Sequence, residues 1–195
     1  NENQDKKIDD LKKEIEFLQL LSGSNNVVEL YGFCIKPQYL YICLESMDIS
    51  LKELYLLVHK LYGNFPEELI NKIIIKIVDA LSECHANSIT HRDVKPQNIL
   101  VNWDGNIKLC DFGVSRILYE TSSYTTAGTF RYMPPEYFTT GRYGLKADVW
   151  SLGITIIEVL HGKNIIPDGI TYPEITKFIV NLNSLEVIEN LPKTY

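Results

Sequence analysis

The chain has 195 residues, is 45% hydrophobic and carries a net charge of −6. That is enough apolar material for one buried core, and an acidic balance with no long basic run argues against nucleic acid or an anionic membrane surface as the main partner. Cys34, Cys43, Cys84 and Cys110 form no Cys-x-x-Cys pair and read as reduced thiols, while the richest apolar stretch, residues 69–81, is broken by Asn71, Lys72, Lys76 and Asp79 and so is too polar to span a bilayer.

In chain order, residues 5–21 predict a charged amphipathic helix, with Ile8, Leu11, Ile15, Leu18 and Leu21 at helical spacing. Ser22-Gly23-Ser24-Asn25-Asn26 ends it. Residues 27–35 and 39–44 are apolar, β-branched and aromatic runs separated by Lys36-Pro37-Gln38, which predicts an antiparallel strand pair. Residues 50–60 predict a short helix. Pro66, Glu67 and Glu68 suit the first turn of a longer one, whose face is lined by Leu69, Ile70, Ile73, Ile74, Ile77, Val78 and Leu81. His85, near its end, reads as a structural or surface residue.

The stretch 89–113 carries the chemistry. Asp93 and Asp111 stand eighteen positions apart, and Asn98 follows Asp93 by five. Between them, Ile99, Leu100 and Val101 form one apolar run, and Ile107, Leu109 and Cys110 belong to another. Asp104-Gly105 tolerates positive φ and predicts a hairpin between the runs. The hairpin folds the chain back, so Asp93, Asn98 and Asp111 meet in one small volume with Lys95 beside them. Such a site suits a hard divalent cation and phosphate. The plain alternative is a polar loop joined to an ordinary hairpin.

A hydroxyl-rich segment follows, with Ser115, Thr121, Ser122, Ser123, Tyr124, Thr125 and Thr126, and ends in Ala127-Gly128-Thr129-Phe130-Arg131-Tyr132-Met133-Pro134-Pro135-Glu136. Residues 148–160 are apolar almost all round, which predicts a buried helix stopped by Gly162. Residues 173–182 predict one more helix.

His91-Arg92-Asp93…Asn98 followed by Asp111-Phe112-Gly113 resembles the catalytic and metal-binding loops of protein kinases. The wider text resembles mitogen-activated protein kinase kinases: Ile42-Cys43-Leu44-Glu45-x-Met47-Asp48-x-Ser50-Leu51, His91-Arg92-Asp93-Val94-Lys95-Pro96-x-Asn98, Gly105 through Ser115, and Asp148-Val149-Trp150-Ser151-Leu152-Gly153-Ile154. The resemblance implies an α+β, bilobal fold. Residues 1–47 would be a partial small lobe, with one helix and the last strands only, and residues 48–195 an incomplete, mostly helical large lobe. No Gly-rich strand and no Val-Ala-x-Lys precede Asn1, so the chain is expected to be a fragment that binds ATP weakly and transfers no phosphate by itself.

The resemblance also implies roles. Asp93 would accept the proton of the substrate hydroxyl, Lys95 would offset charge on the moving phosphoryl group, and Asn98 and Asp111 would hold Mg²⁺ on ATP. Leu44, the backbones of Glu45 and Met47, Ser50, Leu100 and Cys110 would surround the nucleotide. Glu14 would form an ion pair from the first helix, with Glu16 as the second choice. Thr121 and Thr125 would be phosphorylated by an upstream activating kinase. His91, Arg92, Phe112, Gly113, Thr129, Glu136 and Asp148 would be structural, with Thr129 bracing Asp93 and Lys95. The family departs from this chain at Pro134, where Ala is usual, and at Thr121, where Ser is commoner. The implied reaction is phosphoryl transfer to Ser, Thr and Tyr hydroxyls of a downstream MAP kinase, in the cytoplasm, with the nucleus left open. The competing classes are another Ser/Thr kinase branch and a pseudokinase or scaffold that binds a kinase partner without catalysis.

Overall fold

A computed structural model describes residues 12–36, 39–112, 116–117, 129–141, 144–166 and 169–182. The first described element, α1, is helical over 12–20 and buries Ile15, Phe17 and Leu18, while Glu16 faces solvent. Two antiparallel strands follow, β1 (Leu30–Lys36) and β2 (Tyr39–Leu44), with a bulge between Leu30 and Gly32. The expected first strand begins three residues later than its apolar run suggests. Val27 and Val28 are drawn off: Leu109 donates to the Asn26 carbonyl at 2.9 Å, and Val28 donates to the Leu109 carbonyl at 3.0 Å. These two buried valines therefore tie α1 and the strand pair to the hairpin further along the chain.

Next come β3 (Ile49–Ser50) and α2 (Leu51–Tyr62). Ser50 caps α2 in a reciprocal box. Its hydroxyl accepts from the Glu53 amide at 3.3 Å, and its amide donates to the Glu53 carboxylate at 3.0 Å. The Ser50 hydroxyl also donates to the Glu53 carboxylate at 2.7 Å, and that bond, followed by the amide's, pulls the Glu53 carboxyl below its ordinary value. Gly63, at φ 83°, closes the helix in a backbone conformation that favours glycine.

The long helix α3 (Glu67–Ala86) buries Ile70, Ile73, Ile77, Ala80, Leu81 and Cys84. Val78 does not join this face, being 48% exposed. One residue past Ile77 turns the side chain about 100° around the axis, off the buried stripe. After β4 (Ile89–Thr90) and a 3₁₀ turn (Pro96–Asn98), the expected hairpin forms from β5 (Ile99–Val101) and β6 (Ile107–Leu109). Its turn is closed by Gly105 donating to the Asn102 carbonyl and by the Asn102 side chain accepting from the Asn106 amide, both at 2.9 Å. β3 pairs with β5, setting Ser50 opposite Leu100, and β7 (Arg116–Ile117) pairs with β4.

A second 3₁₀ turn (Thr129–Tyr132) leads to α4 (Pro135–Thr140), α5 (Lys146–His161) and α6 (Tyr172–Val180). α1, α2, α3, the hairpin and one side of α5 share the main core. A smaller core collects Ile166, Ile175 and Ile179 with Phe130, Phe138 and Trp150 packed against it. α5 is not the uniformly apolar buried helix expected. Val149 is 63% exposed, and the buried side carries Asp148, Ser151, Thr155 and Glu158. Those positions recur at helical spacing, so α5 presents a polar stripe to the interior. Among the described residues, no helix is long and apolar enough to cross a membrane.

Ile77 has 0% exposure and Ile75, on the same helix, 60%. Ile77→Ala should lower the unfolding free energy by about 2–5 kcal/mol, through lost transfer energy and a cavity. Ile75→Ala should change it by no more than about 0.5 kcal/mol. Urea titration of the two variants checks the assignment of faces.

Candidate active site

The site is built where the segment after β4 meets the end of β6. Asp93 is 5% exposed. Its carboxylate receives the Lys95 ammonium at 2.6 Å and the Asn98 side-chain amide at 2.9 Å. The same Asn98 nitrogen also donates to the Asp93 carbonyl at 2.9 Å. The 3₁₀ turn makes this possible, since Asn98 donates its backbone amide to the Lys95 carbonyl at 2.9 Å and so returns over its own loop.

The second acidic loop is tied to the first through backbone. Cys110 donates to the Asn98 carbonyl at 2.9 Å. His91 contributes the other tie: its Nδ1 accepts from the Asp93 amide at 3.3 Å, which leaves Nε2 to donate to the Cys110 carbonyl at 3.1 Å. The bonds thus select the neutral Nε2–H tautomer. Burial pushes the His91 imidazole below its ordinary value, against smaller upward pulls from Asp148 and Asp93. The ring also meets Phe112 edge-on, with centroids 4.7 Å apart.

Asp148 anchors the whole loop. It is fully buried. It accepts the His91 amide at 3.0 Å, the Arg92 amide at 2.8 Å and His85 Nε2 at 2.8 Å. His85 is therefore structural, and its partner lies 63 positions away. No local pattern announces such a pair.

Asp111 is exposed and sits at φ 64°, the left-handed region. On α1, Glu14 is partly buried and Glu16 is exposed. The Glu14 carboxyl is pushed up by burial first and by the Asp111 charge second. The Cys110 thiol is pushed up to about 12, by burial and then by Asp111, Asp93 and Glu14, with Lys95 acting against them. The charges of Asp111, Asp93, Glu14 and Lys95 therefore all reach Cys110. Among the described residues, no cluster of three or more His, Cys, Asp or Glu side chains could hold a metal alone. Asn98 and Asp111 offer an amide oxygen and a carboxylate, hard donors that fit a cation completing its shell with water or phosphate.

The expected nucleotide-facing residues lie on β2, on the segment leading into β3 and on the hairpin. Leu44 is 39% exposed at the end of β2. Leu100 and Met47 are partly exposed. Glu45 donates its amide to the Glu29 carbonyl at 2.8 Å, and its carboxylate takes Lys108 at 2.6 Å. What Glu45 can offer a ligand is its carbonyl. The Ser50 hydroxyl is committed to capping α2, although its register places it beside Leu100. Glu136 is exposed in the first turn of α4. Gly113, Thr121, Thr125 and the side chain of Thr129 lie outside the described residues. Sequence reasoning missed the Glu45–Lys108 pair and the buried Glu158, whose partners are 63 and up to 103 positions away.

A family model described as a protein kinase domain matches residues 1–194. The chain is 37% identical over 167 residues to the dual specificity mitogen-activated protein kinase kinase mek-2 of Caenorhabditis elegans, covering 85% of this chain and 42% of that protein. It is 41% identical over 143 residues to the dual specificity mitogen-activated protein kinase kinase sek-1 of the same organism, covering 71% and 43%. It is 40% identical over 156 residues to the dual specificity protein kinase FUZ7 of Mycosarcoma maydis, covering 78% and 35%. The chain spans less than half the length of each of these relatives. It belongs to the protein kinase family, with an α+β kinase fold, and is most like mitogen-activated protein kinase kinases.

Two measurements follow from the geometry. Asp148→Ala leaves two buried amides without their acceptor, which should cost at least about 2 kcal/mol of stability. Amide exchange at His91 and Arg92 should accelerate more than elsewhere. For His91, the folded value lies below the unfolded one, so the unfolded chain takes the proton first as pH falls. Stability from the neutral ring is complete above about pH 6.5 and is lost as pH drops below that towards the folded value. Urea midpoints taken from about pH 7 to about pH 5 should therefore fall less steeply in His91→Phe than in the parent.

Proposed function

We propose that this member of the protein kinase family transfers the γ-phosphoryl group of ATP to hydroxyl groups of a protein acceptor, as a step in a mitogen-activated protein kinase cascade. The observation that carries the proposal is the Asp93 carboxylate, clamped between Lys95 and Asn98 at 2.6 and 2.9 Å. A carboxylate held this way is oriented before the acceptor arrives, so it can take the hydroxyl proton as the oxygen bonds to phosphorus and the bond to the leaving ADP oxygen breaks. Lys95 remains beside the transferring group and offsets its charge. Asn98, through its side-chain oxygen, and Asp111 would hold Mg²⁺, which supplies charge neutralisation on the nucleotide phosphates. Leu44, Leu100 and Cys110, with the Glu45 carbonyl and the Met47 backbone, would enclose the adenine; Ser50 would border this pocket while capping α2. Glu14 would offer its carboxylate from α1.

The finer parts of the proposal rest on the relatives, two of which are described as dual specificity mitogen-activated protein kinase kinases. The acceptor would be a downstream MAP kinase, modified on Thr and Tyr, and an upstream kinase would phosphorylate Thr121 and Thr125. Cytoplasmic action, with access to the nucleus, belongs to the same reading.

The test uses the full-length protein. Asp93→Asn keeps volume and removes the proton acceptor. Transfer of labelled phosphate to a MAP kinase acceptor should fall by about 10²–10⁴-fold, with ATP affinity retained. Undiminished transfer would overturn the proposal.

A further inference from the structure

The β1–β2 ribbon carries two thiols that the proposed chemistry does not use. Cys34 and Cys43 are both exposed. Along β2, Leu40 and Ile42 are partly buried, while Tyr39, Tyr41 and Cys43 alternate with them and are exposed. Cys43 therefore belongs to the solvent face of the ribbon. The register sets Gly32 opposite Cys43, Cys34 opposite Tyr41 and Lys36 opposite Tyr39. Residues directly opposite one another share a face, so Cys34 stands on the solvent face too, two positions along β1 from the partner of Cys43.

Two features let these thiols meet. Gly32 puts no side chain opposite Cys43, and even a Cβ at that position would meet nothing within 4 Å. The same diagonal is also already bridged one step along the ribbon. Lys36 is opposite Tyr39, yet its ammonium lies 5.3 Å from the centre of the Tyr41 ring, two positions further along β2. Cys34 and Cys43 are related in the same way. Diagonal neighbours stand about 7–8 Å apart at Cα, with their Cβ atoms closer, and a disulfide spans about 4.4–6.8 Å, so an approach of about 1 Å suffices. The bulge between Leu30 and Gly32 interrupts the ladder beside the pair that must move. The other two cysteines are less suited: burial first of all pushes the Cys84 and Cys110 thiols up to about 12, which leaves little reactive thiolate.

We propose that Cys34 and Cys43 form a peroxide-sensitive dithiol, which closes to a disulfide between β1 and β2 and reopens on reduction. One thiolate attacks an oxygen of hydrogen peroxide; the O–O bond breaks, leaving a sulfenic acid and hydroxide. The second thiolate attacks the sulfenic sulfur; the S–S bond forms, the S–O bond breaks and a second hydroxide departs. The two thiol protons convert both hydroxides to water, so two thiols and one peroxide give one disulfide and two waters. A bond that is exposed and closed against the resting geometry is readily reduced by other thiols, which returns the ribbon to its open form. Cys43 adjoins Leu44, so the closed form ties down the end of β2 that leads to the expected adenine-facing segment. This chemistry is independent of phosphoryl transfer.

The experiment treats the full-length parent, Cys34→Ser and Cys43→Ser with hydrogen peroxide. Both positions are exposed, so serine leaves the fold intact. Free thiols are then alkylated, and proteolytic fragments are mapped by mass spectrometry without reductant. The expected product in the parent is a disulfide between Cys34 and Cys43, two hydrogens lighter than the dithiol and reopened by dithiothreitol, with both thiols lost to alkylation together. In each variant that product is absent, and the remaining thiol is captured by dimedone as a sulfenic acid. Amides of residues 33–34 and 41–43 should exchange more slowly in the oxidised parent than in the reduced one, with no such change in either variant. Cys34 and Cys43 both still alkylated after treatment, a link between copies in place of the internal one, or pairing with Cys84 or Cys110 overturns the inference.

Discussion

The rest of the structure hangs on the Asp148 carboxylate. It lies with no solvent exposure on the buried side of α5, and it accepts from two backbone amides and a histidine. Neither side of this contact is stable without the other. The carboxylate needs donors because burial has removed water. The loop needs an acceptor because Arg92 sits at φ 68°, a conformation that costs a residue with a Cβ about 1–3 kcal/mol. The hydrogen bond to the Arg92 amide sits at the strained residue itself. The helix therefore holds the loop in a shape that it would leave if released.

From that anchor the order passes to the second acidic loop by way of His91. Its amide is on Asp148, its Nδ1 on the Asp93 amide and its Nε2 on the Cys110 carbonyl. The Cys110 amide returns to Asn98, and Asn98 returns to Asp93. One closed circuit of hydrogen bonds thus fixes Asp93 and the residue before Asp111 together. A neutral, fully buried imidazole suits this place because it donates on one side and accepts on the other, which a charged ring cannot do.

What the sequence made legible was local. The Asp104-Gly105 turn, the length of each apolar run and the apolar stripe of α3 all act within a few residues, and each yielded its element. The meeting of Asp93 with Asn98 followed from the same short-range folding. What escaped notice depends on partners far along the chain. Val27 and Val28 look like strand, but Leu109 recruits them. Val78 looks like core by composition, but rotation about the helix exposes it. Along α5 the resemblance singled out Asp148, but Ser151, Thr155 and Glu158 went unremarked among the apolar residues. Their partners, at Tyr132, Val94 and Tyr55, become neighbours only when the chain has folded. Ser50 illustrates the reverse case, where a resemblance suggested a ligand contact and the local Ser-x-x-Glu spacing had already committed the hydroxyl.

The charge pattern around Cys110 completes the physical picture. Glu14, Asp93 and Asp111 all act on that thiol in one direction, and Lys95 alone acts in the other. Lys95 is already paired with Asp93. The Glu14 carboxyl rises in response to burial first and to the Asp111 charge second. Both effects disfavour the charged form of Glu14. Positive charge brought to Asp111 would lessen its pull on both the Glu14 carboxyl and the Cys110 thiol. Asn98 belongs to both arrangements: its side-chain nitrogen serves the Asp93 clamp, and its oxygen is the atom that would serve the proposed cation.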